Sequence, residues 1–187
     1  MANLVEAVLE ELNRMSGFID QSQLDEVCGI LIEARERGRR VFVCGAGRSG
    51  CVARGFANRL IHLGFSCSFL GEITAPPMQK GDVLFAVSGS GRTSTLVLTA
   101  RKAAELGGRI LTVTLNAEGD IAKLSEAAIL LPGTTRLAER PEFRSIQPVG
   151  SAFEQLAWLT CDALVIGLRD ALGQTNADLI ARHANLE

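Results

Sequence analysis

The chain has 187 residues, of which 47% are hydrophobic and 21% are charged, and its formal net charge is −2. This composition is typical of a globular protein, excludes a disordered one, and disfavours partnership with nucleic acid. The length predicts a single domain over residues 1–187, and no apolar stretch is long enough for a membrane span.

The first residues lack the pattern of a secretory signal, and the five cysteines lack the spacing of a zinc site. We therefore expect a cytoplasmic protein with reduced, buried thiols, no membrane partner and no bound metal.

Apolar residues at helical spacing predict two N-terminal helices, over residues 3–15 and 22–37. Short β-branched runs and helical stretches then alternate. The predicted strands cover 40–44, 65–70, 82–87, 109–114 and 127–131. The predicted helices cover 49–63, 92–106, about 119–125, a long segment from Ser151, and 175–184. Residues 132–148 are expected to be irregular.

Alternating strands and helices are typical of a parallel sheet covered on both faces. We predict a three-layer α/β/α sandwich with a five-stranded parallel sheet. The N-terminal helices (about 3–37) and the C-terminal helices (about 151–184) pack on this core.

Two glycine-rich loops follow predicted strands and precede predicted helices. The first loop spans residues 45–50 (GAGRSG), and the second spans residues 88–93 (SGSGRT). A strand, a glycine-rich turn and a helix aim free backbone N–H groups at an anion. Because ligands of parallel sheets bind at the carboxyl ends of the strands, the two loops predict a phosphate held from both sides.

The first loop also matches the dinucleotide fingerprint GxGxxG through Gly45, Gly47 and Gly50, with Glu72 about 20 residues further on. A dinucleotide-binding enzyme remains an alternative on this pattern. The second loop, with three hydroxyl groups, and the hydroxyl of Ser49 favour a phosphate site instead.

Gly47-Arg48-Ser49 and the second loop together resemble the sugar isomerase (SIS) domain family. Within that family, four stretches are most similar to the 6-phospho-3-hexuloisomerases; they are residues 45–50, 59–65, 71–76 and 182–187. The chain departs from the family pattern at Arg92, where many members have a glutamate.

The resemblance implies a flavodoxin-like fold and a homo-oligomer, with a tetramer expected. It implies that no cofactor is needed. The implied reaction converts D-arabino-hex-3-ulose 6-phosphate to fructose 6-phosphate through an enediol. This reaction belongs to the ribulose monophosphate route of formaldehyde fixation. A non-catalytic sugar-phosphate-binding module and an isomerase of another sugar phosphate remain alternatives.

The expected site has two parts. The substrate-binding residues implied by the resemblance are Gly47, Arg48, Ser49, Ser88, Gly89, Ser90 and Thr93. The expected catalytic residues are Glu154, His62 and His183. By position alone, Glu154 is better explained as an acid stabilised at the start of a helix, and its catalytic role is what the resemblance implies. His62 is equally an interface histidine, and a role for His183 is expected to require a neighbouring subunit.

Overall fold

The computed structural model describes residues 3–134 and 143–186. Part of the segment expected to be irregular, residues 135–142, lies outside the described residues. Within the described part of the chain, no helix is long and apolar enough to cross a bilayer.

Five parallel strands form one sheet in the order β2-β1-β3-β4-β5. The strands are β1 (Val41–Gly45), β2 (Cys67–Phe69), β3 (Val83–Val87), β4 (Arg109–Thr114) and β5 (Ala127–Leu130). This is the strand order of flavodoxin-like folds, whose direction of winding reverses between β1 and β3. The predicted five-stranded parallel sheet is confirmed.

Seven helices are described. They are α1 (Leu4–Ser16), α2 (Gln21–Glu36), α3 (Gly47–His62), α4 (Ser94–Glu105), α5 (Asp120–Leu124), α6 (Ser151–Ala171) and α7 (Asn176–Ile180). The first three and α6 share one core cluster with alternate strand residues such as Val43 and Phe85. The intervening strand residues, such as Phe42 and Leu84, face α4 and α5. Since successive strand side chains point to opposite faces, one sheet carries two apolar cores, and the predicted three-layer sandwich is confirmed.

The first glycine-rich loop is much tighter than expected. Helix α3 starts at Gly47, so Ala46 alone separates it from β1. A Cβ atom on Gly45 would lie 2.7 Å from the Ser49 carbonyl oxygen, and one on Gly50 would lie 2.9 Å from the Gly45 carbonyl oxygen. The end of the strand and the first helical turn therefore touch backbone to backbone. Residues 47–50 of the predicted loop therefore form the first turn of α3.

Cys51 departs from the expectation of buried thiols. All five cysteines are free, but Cys51 is exposed, while Cys28 and Cys67 are partly buried. Cys51 lies on α3 next to Val52, which belongs to the buried stripe of that helix together with Phe56.

Candidate active site

The two glycine-rich loops meet where the winding of the sheet reverses. Gly45 of β1 pairs with Val87 of β3, so both strands end at the same level. Helix α3 starts two residues after the end of β1, and helix α4 starts seven residues after the end of β3. A crevice outside the carboxyl ends of the strands forms at such a point, and ligands of open α/β sheets bind there.

The second loop is held rigidly by the neighbouring strand β4 and helix α5. The Gly89 carbonyl accepts hydrogen bonds from the Thr114 hydroxyl and the Leu115 N–H, each at 3.1 Å. The Ser90 carbonyl accepts from the Asn116 amide at 3.0 Å. Gly91 has a φ of +63°, which residues with a side chain rarely adopt. It also lies against Gly119, where a side chain would not fit without a shift.

These contacts use the carbonyl groups of the second loop and leave N–H groups free. The N–H groups of Gly89, Ser90 and Thr93 have no acceptor in the described ranges. Thr93 is the N-cap of α4, where the helix dipole also favours an anion, and Gly89 and Ser90 lie in the loop that leads to it.

A cavity of about 230 Å³ lies between the two loops and the start of α6. Among the predicted residues, it is lined by Ser49, Ser88, Gly89, Ser90, Thr93 and Glu154. Ser88 and Ser90 are buried at 3% and 7% exposure. Six residues predicted from the sequence are therefore brought together around one space that combines hydroxyl and N–H donors with a single carboxylate.

Glu154 lies in the first turn of α6, which starts after Gly150 in a left-handed conformation. Its carboxylate accepts a hydrogen bond from the Arg48 guanidinium in the first turn of α3. The side chain of Glu154 is 15% exposed and that of Arg48 is 69% exposed. This hydrogen bond raises the pKa of the Arg48 guanidinium, so Arg48 stays positively charged beside Glu154.

Arg48 and Gly47 do not line this cavity, although both were predicted to bind the phosphate. Gly47 opens α3 with a φ of +56°. Arg48 turns toward Glu154 and lines a neighbouring cavity. Arg92 is exposed and forms no ion pair in the part of the chain that the structure describes.

The two histidines lie together but far from the cavity of the same chain. Their rings stack with centroids 4.5 Å apart at the C-terminal end of α3. At 1.5 Å per residue, His62 is about 20 Å along the helix from Ser49. Arg182 holds the C-terminal segment there by donating to the His62 carbonyl at 3.0 Å.

His62 is 5% exposed, and its Nδ1 has no hydrogen-bond partner among the described residues. Burial lowers the pKa of His62, and the nearby His183 and Arg59 lower it further. His62 is therefore neutral over most of the physiological pH range.

The apolar wall of the cavity was not predicted. Val149 and Phe153 flank Gly150 and Glu154 and close one side of the space. Their signal in the sequence is weak, since a phenylalanine in a first helical turn is equally an ordinary core residue. Val149 is 65% exposed, whereas Phe153 is buried.

Two observations bear on other ligands. Glu72, the acid of the dinucleotide fingerprint, pairs with Arg54 at 3.1 Å and does not line the cavity. Within residues 3–134 and 143–186, no group of three or more His, Cys, Asp or Glu side chains is placed to hold a metal.

Comparison with known proteins places these features in a family. The SIS domain model matches residues 35–159. A Bacillus subtilis protein named 3-hexulose-6-phosphate isomerase is 36% identical over 98% of this chain and 97% of its own length. A Mycobacterium gastri protein of the same name is 34% identical over 100% of this chain and 92% of its own.

A solved structure agrees. A Methanococcus jannaschii protein, for which a molecular function of 3-hexulose-6-phosphate isomerase was inferred, superposes with a TM-score of 0.80. It is 29% identical, and the match covers 98% of both chains. The resemblance drawn from the motifs is confirmed: the chain belongs to the SIS domain family.

Proposed function

We propose that the protein is a sugar-phosphate isomerase and that its substrate is D-arabino-hex-3-ulose 6-phosphate, which it converts to fructose 6-phosphate. The observation that carries this proposal is the single carboxylate, Glu154, beside a cluster of anion donors in one cavity. The names of the Bacillus and Mycobacterium relatives support the choice of sugar. The reaction would belong to the ribulose monophosphate route of formaldehyde fixation.

The phosphate group binds the second loop in this proposal. The N–H groups of Gly89, Ser90 and Thr93 and the hydroxyls of Ser49 and Ser88 surround the space at the start of α4. Glycine at position 89 lets the backbone approach the phosphate oxygens closely. Neutral donors and the helix dipole hold the dianion, and a lysine or arginine lining the cavity is not required.

Glu154 then acts as the base. It removes the proton from C2 of the 3-ketose; the electron pair of the C2–H bond forms a C2–C3 double bond, and the π pair of the C3 carbonyl moves to O3, which gives an enediolate. Transfer of the O2 proton to O3 carries it through the enediol, and return of the first proton to C3 leaves the carbonyl group at C2. Arg48 keeps the carboxylate oriented until the substrate arrives.

His183, which is exposed, is proposed to act from a neighbouring subunit, and the buried His62 stacked on it is proposed to orient it. Within one chain they stack at the far end of α3. A homo-oligomer, with a tetramer expected, would bring this end to the cavity of a second copy, where an imidazole can assist ring opening.

The proposal is tested by supplying the purified protein with D-arabino-hex-3-ulose 6-phosphate and measuring fructose 6-phosphate. Arabinose 5-phosphate and a heptose phosphate are the comparison substrates. Preferred turnover of the hexulose phosphate is expected. Preferred turnover of another sugar phosphate would reassign the substrate, and tight binding without any turnover would indicate a sugar-phosphate-binding module.

A further inference from the structure

A second cavity of about 300 Å³ adjoins the first and is lined by Arg48, Cys51, Val52, Glu154, Gln155 and Trp158. Glu154 lines both cavities. We propose that the second cavity is a subsite for the end of the sugar remote from the phosphate, and that Trp158 and Gln155 select the substrate there. This inference rests on the proposed function.

The order of the groups along the two cavities matches the order of the groups in the substrate. The anion donors lie in the first cavity, and the carboxylate of Glu154 stands at the boundary. In a 3-hexulose 6-phosphate, C2 and C3 lie between the phosphate on C6 and the hydroxymethyl group at C1. With the phosphate in the first cavity and the reacting carbons at Glu154, we place the C1 end in the second cavity, which Glu154 also lines. Small-molecule sites commonly occupy roughly 300–1,000 Å³, so the first cavity alone falls short of this range.

Trp158 is placed for this role by a glycine on the facing helix. It follows Glu154 by one helical turn, so both side chains lie on the same side of α6. A Cβ atom on Gly55 of α3 would lie 2.7 Å from the indole Cη2. The missing side chain at Gly55 lets the indole lie against α3, while Trp158 remains 46% exposed at the cavity. An aromatic face offers an apolar wall to the C–H groups of a sugar.

Gln155 supplies unused hydrogen-bonding capacity. It lines the second cavity, and its Oε1 is shielded from solvent with no donor among the described residues. Buried polar atoms are nearly always paired. Rotation of the Gln155 amide would bring a polar end to the cavity, where a sugar hydroxyl, which is both a donor and an acceptor, can pair with it.

The test separates the two cavities with ligands of different length. KM and kcat are measured for the hexulose phosphate, together with the inhibition constant of inorganic phosphate, which fills the first cavity alone. Trp158→Leu should raise KM about tenfold, and Gln155→Leu should raise it about fivefold. The inhibition constant of phosphate should stay unchanged in both variants. Trp158→Phe should keep most of the affinity.

Leu159→Ala is the matched control, because Leu159 is the next residue on α6, is 52% exposed and lines neither cavity. It should leave KM for the hexulose phosphate and the inhibition constant of phosphate unchanged. If Trp158→Leu fails to fold, as judged by circular dichroism, the test of the subsite rests on Gln155→Leu. That substitution removes no protein hydrogen bond to Oε1, because Oε1 has no donor among the described residues. An unchanged KM, or a phosphate constant that rises in parallel with KM, overturns the subsite.

Failure of the proposed function is distinguishable from failure of the subsite. If the wild-type protein turns over the hexulose phosphate but the variants keep its KM, the function stands and the subsite is wrong. If the wild type shows no turnover, calorimetric binding of fructose 6-phosphate and of inorganic phosphate to the same variants decides. A loss confined to the sugar phosphate supports the subsite. Equal affinities of the wild type for the two ligands would contradict it.

Discussion

At the scale of single residues, one ion pair joins the two halves of the site. Arg48 and Glu154 are 106 positions apart in the chain, and each lies in the first turn of its helix. Arg48 is mostly exposed and Glu154 is mostly covered. The acid was predicted from the family resemblance, but its partner was assigned to the phosphate. No local pattern relates two residues this far apart.

Replacing Glu154 by Gln removes the proposed base while keeping the size of the side chain. We expect kcat for the hexulose phosphate to fall by about 10²- to 10⁴-fold. Affinity for inorganic phosphate should stay the same or rise, because a negative charge beside the anion is removed. Glu105→Gln, an exposed acid at the end of α4, should leave kcat unchanged. Near-normal turnover in a folded Glu154→Gln variant would dismiss this role.

His62 should make stability depend on pH. Burial holds its pKa below the ordinary value of about 6.5. At a pH between the lowered pKa of the native state and the ordinary pKa of the unfolded state, the unfolded chain binds more protons than the native one. The free energy of unfolding therefore falls as the pH drops through about 6.5. Lowering the pH from about 7.5 to about 5.5 should reduce Tm more in the wild type than in His62→Asn. Equal losses of Tm in the two proteins would be the contrary result.

At the scale of the elements, the junction between β1 and α3 explains two glycines without reference to a ligand. A Cβ atom on Gly50 would lie 2.9 Å from the Gly45 carbonyl oxygen, which is backbone and cannot rotate away. In contrast, nothing lies within 4 Å of a Cβ atom on the exposed Gly29 in the middle of α2. Replacing glycine by alanine should therefore have opposite effects on stability at positions 50 and 29.

We expect Gly50→Ala to lower the free energy of unfolding by about 1–3 kcal/mol, because it overpacks a rigid contact. Gly29→Ala should raise that free energy by about 0.5–1 kcal/mol, because alanine restricts the unfolded chain and favours helix. Urea unfolding of the two variants and the wild type measures both changes. A Gly50→Ala variant as stable as the wild type would show that the strand and the helix can move apart.

The periodic elements were predicted well, and their ends less well. Strand β4 was predicted at 109–114 and is found at Arg109–Thr114. Strand β2 was predicted over 65–70 but covers Cys67–Phe69, and α7 was predicted over 175–184 but covers Asn176–Ile180. Apolar alternation marks the middle of an element, whereas its ends depend on caps and on neighbouring chain segments.

At the scale of the whole molecule, the separation of the histidines from the cavity yields a test of assembly. Glu154→Gln and His183→Asn should each be inactive alone. If a site is built from Glu154 of one chain and His183 of another, random mixing in one oligomer restores about a quarter of the sites. Activity after joint refolding of the two variants, compared with each variant refolded alone, measures this recovery.

No recovery by mixed oligomers, with both variants folded and assembled, would contradict sites shared between chains. Deleting residues 182–187 tests whether this segment is needed at all, whichever chain it serves. It removes Arg182 and His183 from the end of α3, so it should abolish activity while leaving the sheet intact by circular dichroism.

The sequence by itself determined the parallel sheet and the order of helices and strands, which follow from short-range periodicity. The meeting of the two glycine-rich loops follows from the rule that loops at the carboxyl ends of parallel strands converge, whereas the six residues that line the first cavity were predicted from the family resemblance. Only the tertiary structure decided that Arg48 pairs with Glu154, that His62 stacks on His183 away from the cavity, and that Trp158 rests on Gly55 beside a second cavity. Each of these contacts joins segments distant in the chain, and the mutual placement of these segments depends on how the whole core packs.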